Sequence, residues 1–184
     1  MSTALDAALA HADAHLDDSV ERLKTLVAIK SISTDPAYAG DVRKAADWLA
    51  ADLAKTTQPF KVVFHHKPAY SSCRPNGEDT NVRNYFVPVS EAAGVQLDLA
   101  GHNHNYERTV PLAEGAEVAQ ADGTIYVVTA GAGAPLYDNN QGYSYTALSV
   151  ETQHYMVGVV EGDRMTMTAY DLAGNVLDVF TITP

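Results

Sequence analysis

The sequence predicts an α/β fold in which two helices precede a strand-rich sheet core, and three observations carry that reading. In the first third, apolar residues recur at steps of three and four, the period of an amphipathic helix. After Pro59 the pattern changes to short β-branched and aromatic runs separated by Gly, Asn and Asp, as in strands and turns. A chain of 184 residues, 46% hydrophobic and 19% charged, suffices for one substantial core. We therefore expect a helical segment over residues 1–54 and a strand-rich core over 55–184, integrated as one domain.

The first helix is expected from residue 2 to about 29. Leu5, Leu9, Ala12, Leu16, Val20, Leu23 and Val27 would form one stripe, to be covered by the rest of the chain or by a second copy. Ser31, Ser33, Thr34 and Asp35 favour caps or turns, and Pro36 resists helix continuation. A second helix is expected over 41–55, with Trp48 as a packing anchor. Residues 60–64 read as a strand that delivers His65 and His66 into a loop. Residues 71–81, with Pro75 and Gly77, read as surface loop, and 82–93 as partly helical up to Gly94. Residues 95–99 form a second strand ending in Gly101-His102-Asn103-His104. Residues 124–129 lead into Ala130-Gly131-Ala132-Gly133-Ala134, where backbone can approach closely. Further strands are expected over 145–150, 154–161, 164–171 and 176–182, with hairpin turns at Glu161-Gly162-Asp163 and Ala173-Gly174-Asn175.

Composition excludes several classes of function. Twelve Lys and Arg against 23 Asp and Glu give a net charge of −11, which disfavours stable binding to nucleic acid. An anionic substrate would need a local positive centre, and a bound metal ion is one way to supply it. No 18-residue apolar run is present, so no membrane span is expected. The N-terminus lacks a basic start followed by a strongly apolar core, which argues against a secretory signal. Cys73 is the single cysteine and can form neither an internal disulfide nor a thiolate cage. A cytoplasmic setting fits that usage.

His66 and the pair His102 and His104 stand at the ends of two apolar strands. Neutral imidazoles are good ligands for zinc and other first-row metals, and ligands at the carboxyl ends of parallel strands can converge. The alternative for each is a surface or hydrogen-bonded core histidine. His11 and His15, four apart, could share a helix face toward a metal, but a solvated polar face is the favoured reading. Asp79, Asp98, Asp122 and His154 are further candidates that spacing does not assign.

The stretch from Val62 to Ser72, which contains His65-His66-Lys67-Pro68, resembles the histidine-proline motif of calcineurin-like metallophosphoesterases, especially the purple acid phosphatase branch. Gly101-His102-Asn103-His104-Asn105-Tyr106-Glu107-Arg108 is similar to that family's GHxHxYER signature. The run from Gly123 to Tyr137 and the Ala169–Gly174 hairpin agree in order, so the likeness covers roughly 48–182. Residues 10–53 resemble instead the N-terminal helical segment of M20-type metallopeptidases, as if two fragments were joined near Trp48.

The resemblance implies that His66 and His102 share one ion and that His104 binds the other of a pair. It implies that His65 orients water or substrate, and that Arg108 with Glu107 forms a supporting pair, direct phosphate contact by Arg108 being the weaker alternative. Lys67 or Arg74 could also steady an anion. The family's earlier Asp-x-His, Gly-Asp and Gly-Asn-His motifs are absent here, so the core is a truncated metallophosphoesterase sheet whose missing strands favour completion by homodimerisation, with exchange of the N-terminal helices as one form. One or two ions are expected, zinc favoured, with manganese or iron as alternatives. The expected activity is metal-dependent hydrolysis of small phosphate esters. Phosphodiesters are favoured, because few cations are available to clamp a monoester dianion. A phosphomonoesterase or phosphotriesterase and a non-catalytic metal-binding assembly module are the alternatives. A peptidase is disfavoured, because the ligands of that family lie beyond the segment matched.

Overall fold

The helical period of the first third forms helices, but not the single long one expected. A computed structural model describes residues 3–32, 35–73, 80–138 and 142–184. Ser2, Ser33, Thr34, Arg74, Pro75, Gly77 and Asp79, which figured in the sequence reading, lie outside them. The chain divides into two compact units, Met1–Leu53 and Ala54–Pro184.

In the first unit, α1 (Thr3–Ala14) and α2 (Leu16–Val27) are separated at His15, whose φ of −114° and ψ of 9° leave the helical region. The cause is local. His15 Nδ1 lies 2.8 Å from the His11 carbonyl oxygen, so the ring competes for a backbone acceptor. Asp17 and Asp18 then favour a new helix N-terminus through its dipole. Asp35 accepts from the Ala37 amide at 2.9 Å and caps a 3₁₀ turn, Pro36–Tyr38, that runs into α3 (Ala39–Leu53). Ala45 and Ala46 of α3 are buried, Trp48 is half-buried, and Arg22 pairs with Asp52 to tie α2 to α3. Leu5, Leu9, Leu16, Val20, Leu23 and Val27 are all exposed in the single chain.

The second unit is built on two sheets. Strands β1 (Val62–His65), β2 (Leu97–Ala100), β3 (Tyr106–Thr109), β4 (Leu112–Ala113), β5 (Ala116–Glu117), β6 (Ile125–Thr129) and β7 (Thr146–Val150) are followed by β8 (His154–Glu161), β9 (Arg164–Asp171) and β10 (Val176–Ile182). The larger sheet has the order β1-β2-β6-β3-β7, with β1, β2 and β6 parallel and β3 antiparallel to both of its neighbours. The smaller is the antiparallel meander β10-β9-β8, and β4 pairs with β5 as a short ribbon.

Leu97, Tyr106, Ile125 and Val127 of the large sheet pack against Met165, Met167, Ala169, Phe180 and Ile182 of the meander. The opposite face of the large sheet forms a second cluster of Ala69, Tyr70, Val87, Leu112 and Tyr126, with Val87 contributed by α5 (Val87–Ala92). The preceding α4 (Thr80–Tyr85) and α5 realise the helical stretch expected there, and Gly94 follows with a φ of +68°. Ser71 and Ser72, expected on a surface loop, are buried. No helix among the described residues is long and apolar enough to cross a membrane.

Candidate metal centre

β1 and β2 are adjacent and parallel, with Val63 beside Asp98 and His65 beside Ala100. Their carboxyl ends therefore open at the same rim, where ligands of α/β sheets gather. The Gly101 amide donates to the His66 carbonyl at 3.0 Å and fixes the two departing loops together. His66 Nε2 then lies 3.0 Å from His102 Nδ1, and the rings meet edge to face at 4.9 Å. To reach this position His102 takes a φ of 66°, a left-handed conformation that non-glycine residues rarely adopt.

Two nitrogens bound to one tetrahedral ion at the usual zinc–imidazole distance stand about 3.3 Å apart. The His66–His102 spacing fits such a pair. His104 does not join them: its Nδ1 lies 2.8 Å from the Pro135 carbonyl oxygen and its ring meets Tyr137 at a tilt, centroids 4.5 Å apart. An Nδ1–H donated to a carbonyl leaves Nε2 with its lone pair, the tautomer a metal ligand needs. Among the described residues no group of three or more His, Cys, Asp or Glu converges on one point in metal-binding geometry. The imidazole pair thus fits an ion, while a full coordination sphere is not formed by these residues alone.

At the end of β1, one residue before His66, His65 Nε2 approaches Asp98 Oδ1 at 2.8 Å, an ion-pair distance without the angle of a regular hydrogen bond. Asp98 is 2% exposed. Burial works against the charged imidazole, but the Asp98 carboxylate outweighs it and raises the His65 pKa above the ordinary histidine value. A carboxylate inside the apolar run Val95-Gln96-Leu97-Asp98-Leu99 was the signal in the sequence. Only the register showed that it faces His65.

Glu107 and Arg108 do not pair, contrary to expectation. Neighbours on a strand point to opposite faces. Glu107, 1% exposed, turns toward the loop after His66 and accepts from the Ser72 amide at 2.6 Å, Ser72 Oγ at 2.8 Å and Thr146 Oγ1 at 2.8 Å. Arg108 turns between the sheets, donating to Asp178 and lying over the Phe180 ring. Its guanidinium is therefore engaged away from the histidines. His154 is buried and bonded through Nδ1 to the Thr152 carbonyl and Nε2 to Thr129 Oγ1, which accounts for it as a core residue. Asp122 is exposed on a 3₁₀ turn. His11 of α1 and His15 at the break before α2 stack at 4.1 Å.

The layered α/β core, with histidines at the carboxyl ends of adjacent parallel strands, has a fold similar to that of purple acid phosphatases. The chain is 34% identical over 106 residues to an acid phosphatase of Aspergillus ficuum, a match covering 56% of this chain and 15% of that protein. The solved purple acid phosphatase PPD1 of yellow lupin (Lupinus luteus) seeds superposes with a TM-score of 0.67 at 21% identity, over 76% of this chain and 28% of that one. GAP50 of Plasmodium, described as the anchor in the inner membrane complex, gives a TM-score of 0.68 at 17% identity, over 83% of this chain and 46% of that one. The chain thus spans less than half the length of each of these. No family model matches it.

Proposed function

We propose that the second unit binds a first-row transition metal through His66 and His102 and hydrolyses phosphate monoesters. The observation that carries this reading is the 3.0 Å approach of His66 Nε2 to His102 Nδ1 at the rim of two parallel strands. Zinc is favoured, with manganese or iron as alternatives, since imidazole suits all three. His104, its tautomer set by Pro135, offers Nε2 to a second ion or to a coordination sphere completed by another donor. When bound, such an ion acidifies its water and polarises a phosphoryl oxygen.

The remaining work falls to the chain's own groups. His65, the residue directly before His66, is 22% exposed, and Asp98 raises its pKa and so favours the protonated ring, a source of positive charge and a proton donor. It would bind a phosphoryl oxygen and steady negative charge as it develops. The diester preference drawn from the sequence rested on a shortage of cations, and the Asp98-supported His65 supplies one. The similarity to proteins named acid phosphatases also favours monoesters. Arg108 acts at a distance, by holding β3 against the meander. The distinct resemblance of residues 10–53 to M20-type peptidases leads us to assign the first unit a packing or assembly role.

A second reading is a metal-binding assembly module without turnover. It is favoured by the lack of a third convergent ligand among the described residues, and by the fold's similarity to a protein described as an anchor. Metal content and hydrolysis of p-nitrophenyl phosphate and its bis ester, measured before and after chelation beside His102→Ala, separate the readings. Bound metal with monoester turnover, both lost on chelation and in the variant, supports the hydrolase. Bound metal without turnover supports the module, and a protein that takes up no metal overturns both.

A further inference from the structure

The meander ends in an open strand. In the order β10-β9-β8, one edge of β8 has no neighbouring strand among the described residues, and Gly158, Val159, Val160 and Glu161 are all exposed. The edge is apolar: Tyr155, Val157, Val159 and Val160 are 48%, 42%, 49% and 56% exposed, and no charged side chain occurs between Tyr155 and Val160. Natural proteins usually blunt such an edge with charge, proline or a bulge, and none of these interrupts β8, whose register with β9 is continuous.

The backbone orientation along the edge follows from the hairpin. Glu161 and Arg164 close the two-residue turn, so Glu161, Val159, Val157 and Tyr155 direct their amides and carbonyls to β9. The His154 amide, on the other parity, points away from β9 and donates to the Gly131 carbonyl at 2.9 Å. Met156, Gly158 and Val160 therefore present their donors and acceptors to the open edge.

We propose that β8 is a self-association surface and that its partner is β8 of a second copy of this chain, paired antiparallel about a two-fold axis through Gly158. In that register Gly158 faces its own copy, and Met156 faces Val160 of the other chain. Every open amide and carbonyl from Met156 to Val160 is matched. A shift by one residue would set open groups against groups already used by β9. A two-fold centred on Met156 would spend the His154 amide that Gly131 already engages, and one centred on Val160 would run into the turn. Gly158 brings no side chain to the axis, and Val157 falls directly opposite Val159 of the second copy, a favourable β-branched pair. Glu161, the nearest charge, lies three residues from the axis, so the two copies of it stand roughly 20 Å apart, beyond the reach of unscreened repulsion at physiological salt. The result is an isologous interface that extends the meander across two chains.

Sedimentation and light scattering over a concentration series, with circular dichroism as a check on folding, test this. Wild type should run at twice the 19.7 kDa chain mass. Val160→Pro removes an edge amide that β9 does not use and should run at the single mass with an unchanged spectrum. Val157→Lys combined with Val159→Lys sets like charges opposite each other and should also run at the single mass. Val157→Lys combined with Val159→Glu sets opposite charges across the axis and should restore the double mass, so the proposal does not rest on one variant's folding. A wild type at single mass throughout would overturn it. So would a folded Val160→Pro protein at double mass, or association abolished by Leu16→Glu with Leu23→Glu and untouched by the β8 variants, which would assign the contact to the helical stripe.

Discussion

Arg108 Nε donates to Asp178 Oδ2 at 2.6 Å, joining the strand that follows the histidine loop to the last strand of the meander. A second guanidinium nitrogen reaches Asp178 Oδ1 at 3.2 Å, and Tyr106 Oη donates to Oδ2 at 2.7 Å. The two side chains of the ion pair are 19% and 9% exposed. One carboxylate therefore satisfies two residues of β3 inside a largely dry seam, and β3 is held two residues beyond His104.

Asp178→Asn should test that clamp. It keeps the shape and one acceptor for Tyr106 but leaves the Arg108 charge half-buried without its counter-ion. Removing one partner of such a pair should lower stability by about 2–4 kcal/mol. Urea denaturation at neutral pH reads this directly, and a midpoint within error of wild type would mean that the pair contributes nothing.

The pH dependence of stability should show two acid-sensitive limbs. For Asp178, burial works against ionisation, but the hydrogen bonds from Arg108 and Tyr106 prevail and hold its pKa below the usual carboxylate range. Its stabilisation is full above the ordinary carboxylate value and is lost as pH falls through the lowered one. For His154, burial lowers the pKa and the Thr152 carbonyl only partly offsets it. Below the ordinary histidine value of about 6.5 the unfolded chain takes up a proton that the folded one refuses, so stability falls with pH. His65 acts in the opposite sense: its raised pKa stabilises at low pH, and that contribution disappears as pH rises through the folded value. Urea midpoints from pH 7 down to 3 in wild type, His154→Gln and Asp178→Asn separate the limbs. His154→Gln should flatten the upper limb, and the deficit of Asp178→Asn should shrink only at the acid end. Parallel curves for all three would contradict both assignments.

His102 combines backbone strain with ligand geometry, and the two can be pulled apart. Its φ of 66° suits glycine better than an imidazole-bearing residue. We expect His102→Gly to leave stability unchanged or raise it by up to about 1 kcal/mol, while abolishing metal uptake. Calorimetry with and without added zinc measures both quantities on one sample. A strongly destabilised variant would show that the ring packs for structure.

The large sheet and the meander were legible because their signals are local. The runs that became β8, β9 and β10 are bounded by Gly162-Asp163 and Ala173-Gly174-Asn175, whose glycines at 162 and 174 take positive φ. The small-residue turn after β6 also held its expected close approach: a Cβ on Gly131 would collide with the Thr152 carbonyl and the His154 ring. The His15 break was not legible, because a stripe counts apolar positions and is blind to a side chain bonding its own turn. At the site, strand ends marked His66 and His102, but whether His104 joins them depends on the loop that brings Pro135 and Tyr137 to it. Asp98 was one of several unassigned acids until register paired β1 with β2.

Glu107 is the residue through which the second histidine motif holds the first. It stands three residues after His104, is 1% exposed, and accepts from both the amide and the hydroxyl of Ser72 on the loop that leaves His66. Thr146 of β7 completes it at 2.8 Å. In Glu107→Gln one acceptor becomes a donor. The Thr146 hydroxyl can turn to accept from the new amide group while the carbonyl keeps the Ser72 amide, so what is lost is the carboxylate charge that strengthens these bonds, and stability should fall by about 1 kcal/mol. The larger effect should fall on the metal, because the loop from Lys67 to Cys73 is held less firmly in the position that sets the His66 ring against His102. We expect zinc affinity to drop about 10- to 100-fold, as when a supporting partner of a ligand is removed. Isothermal titration with zinc well below the unfolding midpoint reads the affinity separately from stability. Unchanged affinity in a measurably destabilised Glu107→Gln protein would show that Glu107 serves the core alone and that His66 is positioned by the Gly101 amide without it.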